Sequence, residues 1–556
     1  MLQLPPKYYL TYFTSVLEFV EQRYGFALGE TERAFLRDFR ALSEGARCLY
    51  IRMANRRPWF FWPGALVYPE IADPARAWPE LLAGDWARPI GQVAGHLAGS
   101  PVLGPDKFLL VAALAKADLL AVHQLIGAGS VGQRLKKDAL AQQLAAASAA
   151  ELWPAAALAL AGLVQKARMD TLEYFKFLFF GNLDPDNMAQ FVVRDVGHAR
   201  FADFDEQQLA TRVSSREEAV AQYSALRAYR DFKLFRDTGV PLSTIFDWFG
   251  QLRATGQPLS DKHFLRMGEL LERAGYWAEA LQTYAPTLLP PARERQVRLW
   301  QKIGQPENAA ALARELLAAP QNADEYFFAQ DFLLKRAGGK RRKSTTAYLL
   351  ASDEIVVGIE HQRYVEGGAI AYLQAAGYQA AHSENFVWNC LFGLLLWEVV
   401  FDQGQAALHH PLQRAPSDLY LPSFYEKRKT LIEALLAGIA DGAAAIALAE
   451  GTFHEKFGTA NPLVGWHTAV LDWVRRYLAL IPWPQVRAVL GEMAKNLREH
   501  TRGFPDLFVW QAGNYYFAEI KSPNDHLSAQ QLYWLQFFEK VGINAKVLRV
   551  VWTTAE

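Results

Sequence analysis

Three short segments near the C-terminus constrain the fold of this chain more than any other feature. They are rich in β-branched and aromatic residues and are bounded by turn residues, as β-strands are: FPDLFVW (504–510), YYFAEIK (515–521) and AKVLRVVW (545–552). Gly513-Asn514 separates the first two segments and predicts a tight hairpin turn. Long helices are expected before the hairpin, and a further helix over 527–540 separates the last two strands. This order predicts an α/β domain at the end of the chain.

Two carboxylates and a lysine are expected to converge on this hairpin. Side chains alternate along a strand, so Glu519 and Lys521 share one face, and folding at the turn brings Asp506 opposite them. Paired carboxylates bind Mg²⁺ or Mn²⁺ through oxygen, and the carbonyl of Ile520 is placed to add a further ligand. A metal ion with a lysine beside it can polarise a phosphodiester and activate water. The alternative is a surface hairpin with an ordinary Glu–Lys pair, and the spacing alone does not exclude it.

The composition is that of a globular chain with several domains. Its 556 residues predict roughly three to four domains. The 58 basic and 58 acidic residues leave no net charge, so a nucleic-acid partner requires positive charge collected on one face. The two cysteines, Cys48 and Cys390, exclude a disulfide framework or a cysteine-rich zinc site and fit a reducing cytosol. No signal peptide is evident. The apolar segment 385–401 is interrupted by Asn389 and Glu398 and predicts a buried helix rather than a membrane span.

Helical periodicity and composition divide the chain into four predicted domains. These are a helical DNA-contacting domain (1–75), a SAP-like helical DNA-binding domain (76–250), a tetratricopeptide-like domain (251–370) and the α/β domain (371–556). The SAP-like assignment rests on two predicted helices in 114–146 that are joined by a Gly-rich turn, although any helical hairpin can produce this pattern. Gly275 and Gly304 are each followed by an alanine five residues later, as stacked helix pairs require. So few repeats are expected to act as a rigid spacer.

Several basic residues are candidates for contact with DNA phosphates. Arg52 and Arg56 precede the aromatic run 59–61, and arginine beside aromatic residues can serve phosphate contact and base stacking. Further candidates are Arg134, Lys136 and Lys137 in the SAP-like module, and Arg341 and Arg342 in the basic run KRAGGKRRKS. For each cluster the alternative is a solvated basic surface.

A proline-rich loop, 415–429, follows a pair of histidines. Adjacent histidines point to opposite sides of an extended chain, so His409 and His410 make a poor single-metal pair and are expected at the surface. Arg428 and Lys429, at the end of the loop, are expected to meet phosphates.

A compound motif surrounds the predicted hairpin. It consists of Gly503-x-Pro505-Asp506-Leu507, Glu519-x-Lys521 and Ser522-Pro523-Asn524-Asp525-x-Leu527-Ser528, leading to Gln531 and Trp534. The segment closely resembles the VRR-NUC branch of the PD-(D/E)xK nucleases. The resemblance implies a restriction-endonuclease-like α/β nuclease domain that follows mainly α-helical N-terminal and middle regions. It also implies that Asp506 and Glu519 hold metal, that Lys521 is catalytic and that Gln531 supports the site. The expected cofactor is Mn²⁺ or Mg²⁺, with two ions.

The same resemblance implies a further metal ligand upstream. In this family a glutamate opens a helix at the start of a motif that HSENFVWNCLFGLLLWEVVF (382–401) matches, which singles out Glu384. A carboxylate in the first turn of a helix is also favoured by the helix dipole without any metal. Glu398 lies within the apolar helix and is expected to make a structural ion pair instead.

The order of the modules also resembles that of a known family. It begins with an N-terminal helical unit that carries L-Y-x-R-x-x-x-R (Leu49, Tyr50, Arg52, Arg56), followed by SAP-like, tetratricopeptide-like and VRR-NUC parts. This resembles the Fanconi-associated nucleases of bacterial type. The resemblance implies an endonuclease that cuts 5′ flaps and branched DNA in interstrand-crosslink repair, with 5′–3′ exonuclease action as a further activity. It implies a cytoplasmic protein that associates with the nucleoid and binds no membrane. The scarcity of cysteine predicts no ubiquitin-binding zinc finger.

One position departs from the eukaryotic members of that family. They have a lysine directly before the helix glutamine, where it helps to grip a 5′-phosphate, and this chain has Gln530. Arg498 is expected to supply part of such a pocket. Two other functions stay open: a VRR-NUC resolvase of four-way junctions, and a non-catalytic repair scaffold. The long N-terminal region argues against the first, and the complete set of Asp506, Glu519 and Lys521 argues against the second.

Overall fold

The computed structural model describes residues 4–98, 111, 114–127, 135–147, 149–237, 240–339, 342–405 and 407–553. The chain divides into two compact units, Met1–His198 with Thr211–His263, and Ala199–Ala210 with Phe264–Glu556. The four predicted domains are a finer division, and their boundaries stay predictions. Arg134 and Arg341 lie outside the described residues.

The first unit consists of helices around a small antiparallel sheet. Its helices are α1 (Tyr8–Tyr24), α2 (Glu30–Ala41), α3 (Glu44–Ala54), α4 (Pro74–Ala83), α5 (Ile90–Ala98), α6 (Lys116–Leu125), α7 (Lys137–Ala146), α8 (Ala149–Ala159), α9 (Met169–Phe180), α10 (Ala189–Asp195), α11 (Arg216–Asp237) and α12 (Leu242–Ala254). The sheet has the order β1-β3-β2, with β1 (Phe60–Phe61), β2 (Ala87–Pro89) and β3 (Val164–Lys166). The two helices predicted within 114–146 are α6 and α7.

An array of helix pairs opens the second unit. Helix α13 (Asp261–Arg273) crosses the division at His263 and is followed by α14 (Trp277–Tyr284), α15 (Ala292–Lys302), α16 (Pro306–Ala318), α17 (Ala323–Arg336) and α18 (Ser344–Leu350). Gly275 and Gly304 have φ values of 87° and 79° at the turns, a conformation that glycine adopts without a steric cost. Ala280 and Ala309 are completely buried. Helices therefore flank both glycine turns, and the tetratricopeptide-like assignment stays a prediction.

A five-stranded mixed sheet forms the centre of the C-terminal part. Its strands are β4 (Asp353–Val357), β5 (Gln379–His382), β6 (Leu507–Gln511), β7 (Asn514–Lys521) and β8 (Ala545–Trp552), in the order β4-β8-β7-β6-β5. The β4–β8 and β8–β7 pairs are parallel, and the β7–β6 and β6–β5 pairs are antiparallel. The three predicted strands are β6, β7 and β8. Neither β4 nor β5 was expected from the sequence.

Helices cover the two faces of this sheet. Helix α19 (Val365–Ala375) packs on the face that carries Ala518 and Ile520. The other face carries Phe508 and Phe517 and packs in a large apolar core. Its helices are α20 (Glu384–Leu395), α21 (Trp397–Val400), α22 (Pro422–Gly438), α23 (Gly442–Lys456), α24 (Ala469–Leu480), α25 (Trp483–Lys495), α26 (Leu497–His500) and α27 (Ala529–Val541).

The apolar segment 385–401 forms α20 and α21, and its hydrophobic residues are buried, as the sequence predicted, except for the half-buried Phe386. Glu398 is exposed and lies 3.8 Å from Lys456. Within the described residues, no single helix is long and apolar enough to cross a bilayer, although two bent helix pairs reach the required length and apolarity when each pair is taken together.

Three expectations about loops were wrong. His409 and His410 are buried rather than exposed, and the ring of His409 contacts Ser417 Oγ at 2.9 Å and Ala210 O at 3.0 Å. Arg428 cannot meet a phosphate as it stands, because it is completely buried and paired with Asp418.

The turn between β6 and β7 is also displaced by one residue from its predicted place. It is formed by Ala512 and Gly513, with φ values of 47° and 84°. Asn514 is the first residue of β7 instead of the second residue of the turn. The hairpin itself is confirmed.

Candidate active site

The hairpin places Asp506 opposite Glu519. Leu507 pairs with Ala518, so the next residues outward, Asp506 and Glu519, face each other at the end of the two strands. The Asp506 carboxylate accepts a hydrogen bond at Oδ2 from the backbone N–H of Ile520 at 2.8 Å. Its backbone carbonyl accepts bonds from the N–H groups of Ser383 and Glu384, at 2.9 and 3.1 Å. Asp506, which directly precedes β6, is thus bonded to strand β7 and to the start of α20.

Two side chains bind one oxygen of Glu519. Lys521 Nζ lies 2.9 Å from Oε1, and Gln531 Nε2 donates to the same oxygen at 2.6 Å. Gln531 is in the first turn of α27, where its own Oε1 accepts the N–H of Ser528 at 3.0 Å, while Ser528 Oγ accepts the N–H of Gln531. This capping box fixes the glutamine relative to the helix end. The sequence-predicted residues Glu519, Lys521 and Gln531 are therefore in direct contact.

Aromatic packing holds α27 against the loop that leads to Asp506. The rings of Trp534 and Phe504 stack with centroids 4.1 Å apart, and Trp534 Nε1 donates to Arg502 O at 3.1 Å. Gly503, between these two loop residues, has a φ of 86° and lies against Gln530. The contacts of Gly503, Phe504 and Trp534 therefore hold the loop before Asp506 against the helix that carries Gln531.

The pKa values of the Asp506 and Glu519 carboxyl groups are both raised, so both groups favour the protonated form. Burial raises the pKa of Asp506 to about 6 in spite of its backbone hydrogen bond, and the charges of Glu366 and Glu384 add to the increase. Burial, followed by the neighbouring charge of Asp506, raises the pKa of Glu519 to about 8. The ammonium of Lys521 opposes both effects. One ammonium group does not fully compensate for two carboxylates that repel one another in a poorly solvated site.

The site fits a divalent cation in its donor chemistry. Oε2 of Glu519 is buried and has no hydrogen-bond partner, which is costly for an anionic oxygen. In the described part of the chain, however, no three His, Cys, Asp or Glu side chains already converge closely enough to hold a metal ion. The unsatisfied oxygen and the repulsion between Asp506 and Glu519 are both relieved by a cation, so the residues present fit one. Hard divalent ions prefer such carboxylate oxygens.

Glu384 opens α20 beside Asp506, but its side chain contacts other groups. Asn385 Nδ2 donates to its Oε1 at 2.7 Å, and His382 Nε2 lies 3.8 Å from its Oε2. Its φ is 26°, an uncommon backbone conformation for glutamate, and such strain is concentrated at functional sites. Its role as a metal ligand stays a prediction, as does the role of the Ile520 carbonyl.

Sequence reasoning missed Asn385. Its Oδ1 accepts the N–H of Phe504 at 3.2 Å while its amide group holds Glu384, so it connects α20 to the loop before Asp506. The available signal was its position directly after Glu384 in the helix-opening motif. A long-range contact of this kind cannot be obtained from spacing along the chain.

Gln530 lies among carboxylates. Its Nε2 donates to Glu499 Oε2 at 3.0 Å and to Asp324 Oδ2 at 3.3 Å. Burial, together with the charges of Glu294 and Glu499, raises the pKa of Asp324. Arg502 pairs with Glu499 at 3.0 Å. The surroundings of Gln530 are thus acidic, which disfavours a phosphate at this position.

The candidate DNA-contacting cations are spread over the chain, and their roles stay predictions. Arg52 is bound to Glu70 and lies over the ring of Tyr9, with 3.9 Å between its guanidinium and the ring centroid. Arg56 is exposed and lies 5.4 Å from the ring centroid of Tyr68. The remaining described candidates are exposed: Lys136, Lys137, Arg342 and Arg498.

The sheet, its two helical layers and the Asp506, Glu519 and Lys521 set define a nuclease of the PD-(D/E)xK class. Two family models match the chain: the FAN1 HTH domain over residues 7–88 and the VRR-NUC domain over residues 442–552. The second match contains Asp506, Glu519, Lys521 and Gln531.

Matches to whole proteins extend over nearly the full length. A Fanconi-associated nuclease 1 homolog of Pseudomonas aeruginosa is 29% identical and covers 98% of this chain and 96% of its own. A homolog of Arabidopsis thaliana is 25% identical and covers 99% of this chain and 68% of its own. A crystal structure of paFAN1 bound to 5′-flap DNA with a gap superposes with a TM-score of 0.81, at 27% identity and over 100% of both chains.

The chain contains a FAN1 HTH domain and a VRR-NUC nuclease domain, and it is similar over nearly its full length to Fanconi-associated nucleases. A nuclease of this kind implies the use of a divalent metal ion. The resemblance found from the sequence is therefore confirmed, together with the fold class.

Proposed function

We propose that this protein is a structure-specific endonuclease that cuts 5′ flaps and branched DNA by metal-dependent hydrolysis of a phosphodiester. The observation that carries the proposal is the assembly of Asp506, Glu519, Lys521 and Gln531 at one end of the sheet, with a buried carboxylate oxygen that lacks a partner. The related protein paFAN1 was crystallised with 5′-flap DNA, which supports a flap as the substrate.

Asp506 and Glu519, with Glu384 and the carbonyl of Ile520, would hold Mn²⁺ or Mg²⁺, with two ions as the full complement. The bound metal supplies Lewis-acid polarisation of the scissile phosphate and a more acidic water. Backbone contacts from Ile520, Ser383 and Glu384 keep the Asp506 carboxylate in position before substrate arrives. Such preorganisation removes the cost of arranging the ligands during each turnover.

Lys521 supplies the positive charge of the protein itself at the site. Its side chain is only 11% exposed, so little solvent screens the ammonium group, which lies within hydrogen-bond distance of Glu519. A buried ammonium beside the reacting phosphate stabilises the additional negative charge of the transition state. Gln531 keeps the Glu519 carboxylate turned toward Lys521 rather than toward the strand surface.

The biological setting that we propose is interstrand-crosslink repair in the bacterial cytoplasm, at the nucleoid, with 5′–3′ exonuclease action as a further activity. Because the surroundings of Gln530 are acidic, we expect duplex and junction shape, rather than capture of a 5′-phosphate at that position, to guide cutting.

One assay with matched substrates tests the proposal. The purified protein is incubated with Mn²⁺ and a 5′ flap, a 3′ flap or a four-way junction of the same sequence, and the expected result is preferential cutting of the 5′ flap. Preference for the four-way junction would instead support a resolvase. Asp506→Ala should abolish cutting while flap DNA is still bound in a gel-shift assay. Binding without any cutting by the unaltered protein would support a scaffold.

Metal binding is tested separately from catalysis. Crystals soaked in Mn²⁺ should show anomalous density between Asp506, Glu519 and Glu384. The matched control is Glu398→Ala, because Glu398 is an exposed carboxylate that contacts Lys456, outside this group of residues. Loss of density in Glu384→Ala but not in Glu398→Ala is the expected result. Density that is unchanged in Glu384→Ala would exclude this residue as a ligand.

A further inference from the structure

A cavity of about 1010 Å³ lies within the first unit. It is lined by the C-terminal end of α3, by strand β3 and by the facing sides of α9 and α11. Binding sites for small organic ligands have volumes of roughly 300–1,000 Å³, so this cavity has room for far more than one inorganic ion. None of the predicted catalytic residues belongs to it.

Two buried lysines, Lys166 and Lys176, form part of the cavity wall. They are only 5% and 8% exposed. Lys166 Nζ donates to the carbonyl of Arg56 at 2.7 Å, and Lys176 Nζ donates to Asn55 Oδ1 at 2.9 Å. Among the described residues, neither ammonium group has a carboxylate within ion-pair distance. Buried lysines of this kind are rare, because desolvation of the charge is expensive unless a partner offsets it.

Helix capping accounts for only part of this positive charge. The ammonium groups of both lysines lie at the C-terminal end of α3. The dipole of this helix provides the equivalent of about half a negative charge there. The two ammonium groups carry two full charges and three N–H donors each. Their protein acceptors are Asn55 Oδ1 and the carbonyls of Arg56 and Ala54, the last at 3.4 Å. Donors and charge are therefore left over on the side of the cavity.

Three of the four carboxylates that line the cavity lie within ion-pair distance of arginines instead, and the fourth, Asp184, accepts the backbone N–H of Asp186. Asp170 lies 3.1 Å from Arg227, and Glu173 lies 2.7 Å from Arg230. Because arginines offset these carboxylates, the two lysines leave the cavity wall positive. Burial lowers the pKa of Lys176 to about 8, so an anion that enters the cavity would also stabilise the charged form of this lysine.

Trp59 supplies an aromatic surface next to the cations. It is partly exposed at the cavity wall, and Lys166 Nζ lies 5.2 Å from its ring centroid. A basic wall and an aromatic ring side by side match the two parts of a nucleotide, because the phosphate seeks positive charge and a base stacks on an aromatic face. Metal ions and apolar ligands fit this lining poorly.

We propose that this cavity binds a nucleotide, with Lys166 and Lys176 at the phosphate and Trp59 beneath the base. The site goes beyond the nuclease function and does not depend on it. Two kinds of ligand present this combination of a phosphate and a base: a free nucleoside monophosphate, and a nucleotide within single-stranded DNA.

Binding to the full-length protein tests the proposal directly. Isothermal titration in EDTA, where a metal-dependent nuclease is silent, is carried out with thymidine 5′-monophosphate and, separately, with an unstructured oligothymidylate. Binding of either ligand supports the site, and the tighter of the two identifies the source. Absence of binding by both ligands at millimolar concentration would overturn the proposal. The outcome is independent of whether the protein cleaves flaps.

Variants locate the binding in the cavity. Lys176→Met removes the charge and keeps most of the length of the side chain, and binding should weaken at least tenfold. The matched control is Lys233→Met, at an exposed lysine on α11 outside the cavity, which should bind like the unaltered protein. Equal affinity in Lys176→Met and the unaltered protein would refute the proposal.

A second variant covers the case in which Lys176→Met fails to fold. Trp59→Leu should weaken thymidine monophosphate binding severalfold while the protection against heat given by inorganic phosphate is unchanged. Equal losses for both ligands, or none for either, would contradict the assigned role of Trp59 as the surface that stacks with the base.

Discussion

Gln531 donates a hydrogen bond to Glu519 from a position that is fixed by the end of its own helix. The distance from Nε2 to Glu519 Oε1 is 2.6 Å, and the Oε1 of the same glutamine accepts the N–H of Ser528 at 3.0 Å. One side chain thus connects the folding of α27 to the orientation of a predicted metal ligand. Partners that orient a metal ligand in this way affect activity almost as strongly as the ligand itself.

Gln531→Glu separates the two roles of this side chain. Glutamate preserves the capping box but cannot donate to Glu519 when it is ionised, and it adds a negative charge. We expect the single-turnover rate of flap cleavage in Mn²⁺ to fall about 10- to 100-fold. Gln531→Ala, which loses both contacts, should also lose about 1 kcal/mol of stability. Cleavage by Gln531→Glu at the original rate would show that Gln531 only caps the helix.

The stability of the metal-free protein should depend on the ionisation of Glu519. Its pKa is raised to about 8, so folding favours the protonated form. This contribution is fully present below the ordinary glutamate pKa and is lost as the pH rises through about 8. Glu519→Gln mimics the protonated form. Its stability relative to the unaltered protein should therefore increase between pH 5 and pH 8, by on the order of a few kcal/mol.

Urea unfolding in EDTA at several pH values measures this difference. The exposed residue Glu398 provides the control, because Glu398→Gln should show a small and nearly constant difference. A constant difference for Glu519→Gln as well would contradict the raised pKa. Added Mn²⁺ should reduce the advantage of Glu519→Gln, because a cation stabilises the ionised carboxylate of the unaltered protein.

The sequence was most informative where local patterns determine local geometry. Alternation along β7 placed Glu519 and Lys521 on one face, and the glycine turn paired Asp506 with Glu519. The strands β4 and β5 escaped notice because they are short and partly exposed and lie far from the hairpin along the chain.

Long-range packing explains the remaining failures. Arg428 has the same sequence character as a surface arginine, and only the fold reveals that Asp418 and the carbonyl of Val399 surround it. The two buried lysines of the first unit are similar, because nothing in the local sequence distinguishes Lys166 or Lys176 from a solvated lysine. Burial of a charge is a property of the assembled core, and spacing along the chain does not encode it.

Arg428 and Lys427 both contact Asp418 Oδ2, at 3.0 and 3.4 Å, yet they should differ strongly in importance. Arg428 is completely buried, whereas the side chain of Lys427 is 43% exposed. Arg428→Ala leaves the buried carboxylate of Asp418 with only the partly exposed Lys427 and should cost about 3–5 kcal/mol. Lys427→Ala removes a screened surface contact and should cost about 1 kcal/mol or less. Equal losses in urea unfolding would contradict a structural role for Arg428.

Gly503 and Gly513 separate steric contact from backbone strain, because their φ values are almost the same, 86° and 84°. A Cβ atom on Gly503 would lie 2.7 Å from Gln530 Cβ and 3.0 Å from its carbonyl carbon, whereas a Cβ atom on Gly513 meets nothing within 4 Å. Gly513→Ala should therefore cost only about 1 kcal/mol, from the unfavourable φ, and leave flap cleavage intact. Gly503→Ala must displace the first turn of α27, which carries Gln531, and should reduce both stability and cleavage. If the two variants cleave flap DNA at the same rate, the contact between the loop and α27 does not position the site.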